Sequence, residues 1–218
     1  ENKTKEERKA TITVFGKTAE ATILITQKAE SKTPGEKETL FFIDFGKGAQ
    51  KNSKGFWPYL DEWLIAEKDL GIKGTASKVA EVMSMGASLR TSGIASEGYP
   101  NASGNNNLWL AKGSGMSLFN VAHIPTGDNT VITVSCGANY FDFNSKSNEF
   151  KKEYLNITYS LDGVTDIPVD YTIEETNKAW KYLVSESIIV PKNSTIEIRL
   201  SNNEGIRVDD FTVTGEVK

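Results

Sequence analysis

Cysteine is almost absent. Cys136 stands alone in 218 residues, so no internal disulfide can close and stability must come from a packed core. Histidine is equally scarce. The single His123 lies in its own apolar run, which removes the His/Cys clusters of zinc sites and leaves Cys136 without a base to activate it. Cys136 ends the strand-like run Val131–Cys136 and reads as a buried, inert thiol. No apolar run approaches the roughly 18 residues needed for a membrane-spanning helix. An excess of positive charge is missing too. Lys and Arg number 25 against 29 Asp and Glu, for a net charge of -4, which excludes the basic footprint of a DNA- or RNA-binding protein. Phosphate-binding glycine loops and a serine elbow are also absent. With 29 acids some carboxylate pair must exist, but no spaced motif marks a glycosidase pair.

What is present is a repeated texture: short runs of Val, Ile, Thr, Phe and Tyr, separated by Gly, Asn, Asp, Ser and Lys. This is the strand-and-turn signature of an all-β sandwich. Residues 10–15 and 21–27 alternate at period two around Gly16-Lys17 and predict a β-hairpin. Residues 31–38, with Pro34-Gly35, read as a linker after a first segment of residues 1–30. Residues 39–45 are apolar at nearly every position and predict a strand covered on both faces. Strand patterns resume at 107–111 and continue to 217.

Between them, residues 46–106 are irregular. Trp57 to Glu67 predicts a short helix, with Pro58 suited to its first turn. Val79, Val82 and Met85 have helical spacing within a long decorated loop, and one strand is expected around 87–91. In the last strand, Ile206 and Val208 share one phase while Phe211 and Val213 occupy the other. A β-bulge at Asp209-Asp210 accounts for the slip; a strand buried on both faces is the alternative.

Two stretches carry a family resemblance. Residues 8–14 and 21–29, closing on Ile25-Thr26-Gln27-Lys28-Ala29, resemble the closing hairpin of BACON domains, Ig-like modules of exported Bacteroidetes proteins. From Thr39 onward the chain resembles galactose-binding-like jelly rolls. The residues that carry this are Phe41-Phe42-Ile43-Asp44-Phe45, Asn106-Asn107-Leu108-Trp109-Leu110 and the closing Ile206-Arg207-Val208-Asp209-Asp210-Phe211. The resemblance implies a jelly-roll β-sandwich over 39–218 behind an N-terminal hairpin, and a non-catalytic module that binds a glycan. It also implies an exported protein of the cell surface or periplasm, lipid-anchored through a segment ahead of Glu1. A structural or adhesive surface domain, or a hydrolase with an unmarked carboxylate pair, are the alternatives.

Sugar rings present apolar faces that stack on tryptophan and tyrosine, while polar side chains take the hydroxyls. Leu108 and Leu110 share one strand phase, so Trp109 and Asn107 take the other. With the leucines in the core, Trp109 stands on the outer sheet face beside an amide; alternatively it lies under residues 46–103 in a second small core. Arg90, Tyr99 on an expected loop tip, and Trp57 complete the candidate ligand set. Trp57, Tyr59 and Trp63 can equally form a cap on the sandwich. Jelly rolls of this type often hold a structural Ca2+ where the first and last strands meet. The matching residues are Asp44, Asp209 and Asp210, expected together at one end of the sandwich; hydrogen bonding to nearby loop backbone is the alternative role for the pair.

Overall fold

The computed structural model describes residues 7–17, 20–27, 33–66, 69–74, 82–84, 86–91, 95–104, 106–112, 118–140, 149–176 and 178–218. Val79 and Met85 of the expected helical spacing, and residues 31–32 of the expected linker, lie outside the described residues. The chain divides into two compact units, Glu1–Glu36 and Lys37–Lys218.

The first unit is a β-hairpin. Strands β1 (Arg8–Phe15) and β2 (Glu20–Gln27) pair antiparallel from Arg8↔Gln27 to Phe15↔Glu20. Ala10, Ile12 and Val14 face Ile25, Ile23 and Ala21 across the ladder, so the period-two alternation gathers the apolar residues on one face.

The second unit is a two-layer β-sandwich whose strand pairs are all antiparallel. One sheet runs β11 (Ile167–Val169), β10 (Leu155–Ser160), β15 (Thr195–Asn202), β8 (Leu118–Pro125), β5 (Val82–Ser84). Val82, taken from sequence as part of a helical spacing, is therefore in a strand. The other sheet runs β12 (Tyr171–Glu174), β13 (Lys181–Ser185), β9 (Val131–Tyr140), β16 (Ile206–Glu216), β3 (Lys37–Ile43), β4 (Lys73–Gly74). Three short strands extend it: β14 (Ile188–Ile189) on β9, β7 (Asn107–Leu110) on β16, and β6 (Ser88–Arg90) on β7.

The inward faces meet in a dry core. The ring of Phe119 on β8 packs edge-on against Phe211 on β16 at 5.2 Å and against Phe45 at 5.6 Å, so aromatic contacts join the two sheets directly. All three are fully buried. Each such side chain contributes about 1.5–3 kcal/mol by leaving water.

The short helix α1 (Leu60–Ile65) starts just past Pro58. Its N-terminus is held by the Glu62 carboxylate, which accepts the Tyr59 N–H at 3.0 Å. Leu60 and Leu64, one turn apart, are buried and anchor it to the sandwich. The segment before it laces onto β6: Leu60 N–H donates to the Ala87 carbonyl at 3.0 Å, and Leu89 N–H to the Pro58 carbonyl at 2.9 Å. Those two bonds fix where Trp57 and Tyr59 stand relative to the outer face of the sheet.

Candidate functional site

Strands β6, β7 and β16 lie side by side, with Ser88↔Trp109, Arg90↔Asn107 and Trp109↔Arg207 as cross-strand pairs. Leu89, Leu108, Leu110, Ile206 and Val208 are fully buried in the core. Alternation therefore sends Ser88, Arg90, Asn107, Trp109 and Arg207 to the outer face. The phase argument for Trp109 holds: it is half-buried on that face, its ring flanked by two guanidiniums at 4.6 Å (Arg90) and 5.4 Å (Arg207) from the centroid. Gly205 leaves room for the indole edge, since a Cβ there would stand 2.9 Å from Trp109 Cη2.

A loop walls this face. The Asn52 side-chain oxygen accepts N–H bonds from Lys54 and Phe56, both at 3.0 Å, and Gly55 takes the left-handed conformation (φ 84°) that closes the turn. The turn holds out Phe56, 66 % exposed, and beyond it Trp57, with Lys51 Nζ 5.7 Å from the Trp57 ring centroid. Tyr59, 47 % exposed, is bridged to Ser88. The result is an open basin of about 390 Å³ lined by Lys51, Phe56, Trp57, Tyr59, Ser88, Arg90 and Trp109, with small residues between them. Three of the ligand residues expected from sequence, Trp57, Arg90 and Trp109, therefore converge, although 52 positions separate the first from the last. Phe56, Lys51 and Ser88 were missed. The turn chemistry of Asn52-Ser53-Lys54-Gly55 was the available signal for Phe56, since such a turn projects the residue after it into solvent.

Two expected ligand residues are placed elsewhere. Asn107 is on the right face but only 1 % exposed, its buried Oδ1 has no hydrogen-bond partner among the described residues, and it does not line the basin. Tyr99 lies in a turn, as expected, but its side chain is buried. It is 8 % exposed, stacked on Tyr182 (centroids 5.6 Å, planes 10° apart) and packed beside the buried Trp180. It lies directly over Gly137, where a Cβ would come within 2.1 Å of the phenol oxygen. The physical reason is the phenol hydroxyl, which donates to Asp210 Oδ2 at 2.7 Å and ties the segment down onto the sheet.

The bulge at Asp209-Asp210 is present. Against β9 the register passes from Asp209↔Gly137 to Thr212↔Ser135, three steps on one strand for two on the other, and Asp210 adopts φ +51°. The aspartates lie in the middle of β16, not at an end of the sandwich. There its neighbour on one edge changes from β3 to β7. Ile43 pairs with Phe211, so Asp44, the next residue, stands beside the pair.

Asp210 Oδ2 accepts the Tyr99 hydroxyl, the Ser103 N–H at 3.1 Å and the Ser96 hydroxyl at 3.5 Å. Asp209 accepts the Asp210 N–H at 2.9 Å and the Ser103 hydroxyl at 3.4 Å. Asp210 Oδ1 is buried with no partner among the described residues. Among the described residues no three His, Cys, Asp or Glu side chains gather closely enough to share a metal ion. Asp44 stands beside Asp209 and Asp210, and hydroxyl and amide donors take up one oxygen of the Asp210 carboxylate, Oδ2. Burial, with the charge of Asp210, pushes Asp209 up to about 8; burial raises Asp210 as well. Burial and the two aspartates push the Cys136 thiol up to about 12, which fits the inert role read from sequence.

Among the described residues, further clefts lie apart from the basin. One, of about 540 Å³, runs past Phe42, Asp44, Lys73 and Ser103. A second, of about 370 Å³, is lined by Asp44, Trp63 and Asp69. A third, of about 200 Å³, sits between His123, Asp162 and Glu197. Each offers at most one large aromatic side chain, whereas the basin over Trp109 offers four.

The sequence matches no protein-family model and no curated protein. Among solved structures, it is similar to that of the N-terminal endo-1,4-β-D-xylanase 10B of Clostridium thermocellum, its CBM22-1 and GH10 modules complexed with xylohexaose. The identity is 13 %, over 60 % of this chain, with a TM-score of 0.37. The chain spans about a quarter of the length of that protein, 25 % of it.

Proposed function

We propose that this chain is a non-catalytic carbohydrate-binding module whose ligand lies in the basin over Trp109. The observation that carries the reading is the convergence of Phe56, Trp57, Tyr59 and Trp109 around one open basin that Ser88, Lys51 and Arg90 also line. Aromatic faces with hydrogen-bond donors at their edges are what a pyranose ring requires: stacking for its C–H face and donors for its hydroxyls. The basin is shallow and open to solvent, which suits a polymer that passes through it. A non-catalytic role is supported by the described residues of the lining, among which there is no carboxylate, whereas glycoside hydrolysis ordinarily needs two on opposite sides of the bond.

The test is a glycan array followed by affinity electrophoresis on the polysaccharides that score. Trp57→Ala and Trp109→Ala should each weaken binding by tenfold or more, as loss of a stacking anchor of about 1.5–3 kcal/mol requires. Incubation with the bound polysaccharide should release no reducing ends. An array without binders would replace this reading with that of a structural surface domain, and reducing-end release would make the chain an enzyme.

A further inference from the structure

The basin's floor carries an electrostatic imbalance. Arg90 and Arg207 both contact the Trp109 ring, and both leave much of their surface out of water; Arg207 is only 8 % exposed. Among the described residues neither has a carboxylate partner. Arg90 donates from Nε to the Ser88 hydroxyl at 3.2 Å, and Arg207 from Nη1 to Asn139 Oδ1 at 3.1 Å. Arg207 Nε is buried with no acceptor among the described residues. Burial, and then the charge of Arg207, pull Arg90 down to about 10; burial lowers Arg207 as well. Lys51 adds a third cation at the rim. Buried cations of like sign are costly unless an anion joins them. In a chain of net charge -4, three cations with no carboxylate among the described lining residues run against the overall balance.

We propose that the basin selects an anionic glycan, and specifically that a uronic-acid carboxylate lies against Arg90, with Lys51 beside it, while the sugar ring stacks on the aromatics around Trp109. This rests on the carbohydrate-binding role proposed for the basin and names the class of sugar for it. The planar guanidinium suits a carboxylate because two parallel N–H groups meet two oxygens. Arg207, buried 5.4 Å from the Trp109 ring centroid and outside the basin lining, sets the local field without touching the ligand. A sulfate ester presents similar charge with tetrahedral geometry, so it is the competing source of the anion.

Isothermal titration with the full chain separates the cases. The probes are an oligogalacturonate, the same oligosaccharide with its carboxyls reduced to alcohols, and a heparin oligosaccharide. The oligogalacturonate should bind at least about tenfold more tightly than its reduced form, the scale of one charge-assisted hydrogen-bond pair, and should weaken as sodium chloride is raised from low to near-molar concentration. Arg90→Gln should abolish that preference. Lys51→Ala, at an exposed position that leaves the fold intact, should reduce it several-fold. Equal binding of the oligogalacturonate and its reduced form, both lost in Trp109→Ala, would overturn the anionic preference while the carbohydrate reading stands. A preference for heparin would overturn the uronate assignment in favour of sulfate. No binding of any of the three probes, with neutral glycans bound on the array, would overturn the proposal alone; an array empty as well would overturn both.

Discussion

Tyr99→Phe probes the buried aspartate pair most directly. The substitution deletes one oxygen and leaves the ring on Gly137 and Tyr182. It removes the hydroxyl that donates to Asp210 Oδ2 at 2.7 Å, in a place where Tyr99 is 8 % and Asp210 4 % exposed. A hydrogen bond to a charged group contributes about 1.5–3 kcal/mol, and water does not reach the site to replace it. The Ser103 N–H and Ser96 hydroxyl remain on the same oxygen, so the loss belongs near the lower end, about 2 kcal/mol. For a domain of this size that is a fall in Tm of roughly 4–8 °C. Urea unfolding followed by tryptophan fluorescence at pH 7 should show a lower midpoint with the same slope. A cycle with Asp210→Asn should return a coupling of about 1 kcal/mol or more between the two positions. Glycan binding should be unchanged, because Tyr99 is far from solvent and outside the basin. A loss below about 0.5 kcal/mol, smaller than a typical net hydrogen bond, would show that the phenol does not hold the bulge. Loss of glycan binding at undiminished stability would return Tyr99 to the ligand site.

The acid pair also sets a pH dependence. Asp209 is raised from 3.8 to about 8 and Asp210 is raised with it, so the folded state holds protons that the unfolded state releases. The Asp209 contribution is complete below pH 3.8 and is lost as pH rises through about 8. In chelator, the midpoint should therefore decline across that window relative to Asp209→Asn, whose curve should be flatter. Millimolar calcium should not move the midpoint at pH 7. A rise proportional to the logarithm of calcium concentration would instead mean that the carboxylates gather around the ion. Gly137→Ala should destabilise by about 1–3 kcal/mol, the cost of overpacking, because its Cβ would meet the Tyr99 phenol at 2.1 Å. A neutral result in thermal unfolding would mean that Tyr99 does not lie over β9.

Strand periodicity and scarce residues are local signals, and they are what the sequence determined by itself. Alternation in 107–110 put Leu108 and Leu110 inside and Trp109 outside without knowledge of any partner strand. The phase slip between Val208 and Phe211 marked the bulge at Asp209-Asp210, because an extra residue is the local way to turn a strand over. The apolar hairpin pattern of 10–15 and 21–27, and the solitary Cys136, were equally local. Tertiary structure decided whatever depends on distant segments meeting. Residues 46–106 show no period in sequence, and described ones among them are held by single contacts, such as Pro58 and Leu60 on β6, so neither the strand at Val82 nor the wall of the basin could be read from them. Tyr99 looked like a loop tip because glycine and proline flank it; its burial depends on Asp210, 111 positions away. The unmatched arginines show the same limit. Composition counts charges, but only the fold places Arg90 and Arg207 on one tryptophan with no described carboxylate beside them, and that placement is what gives the basin its sign.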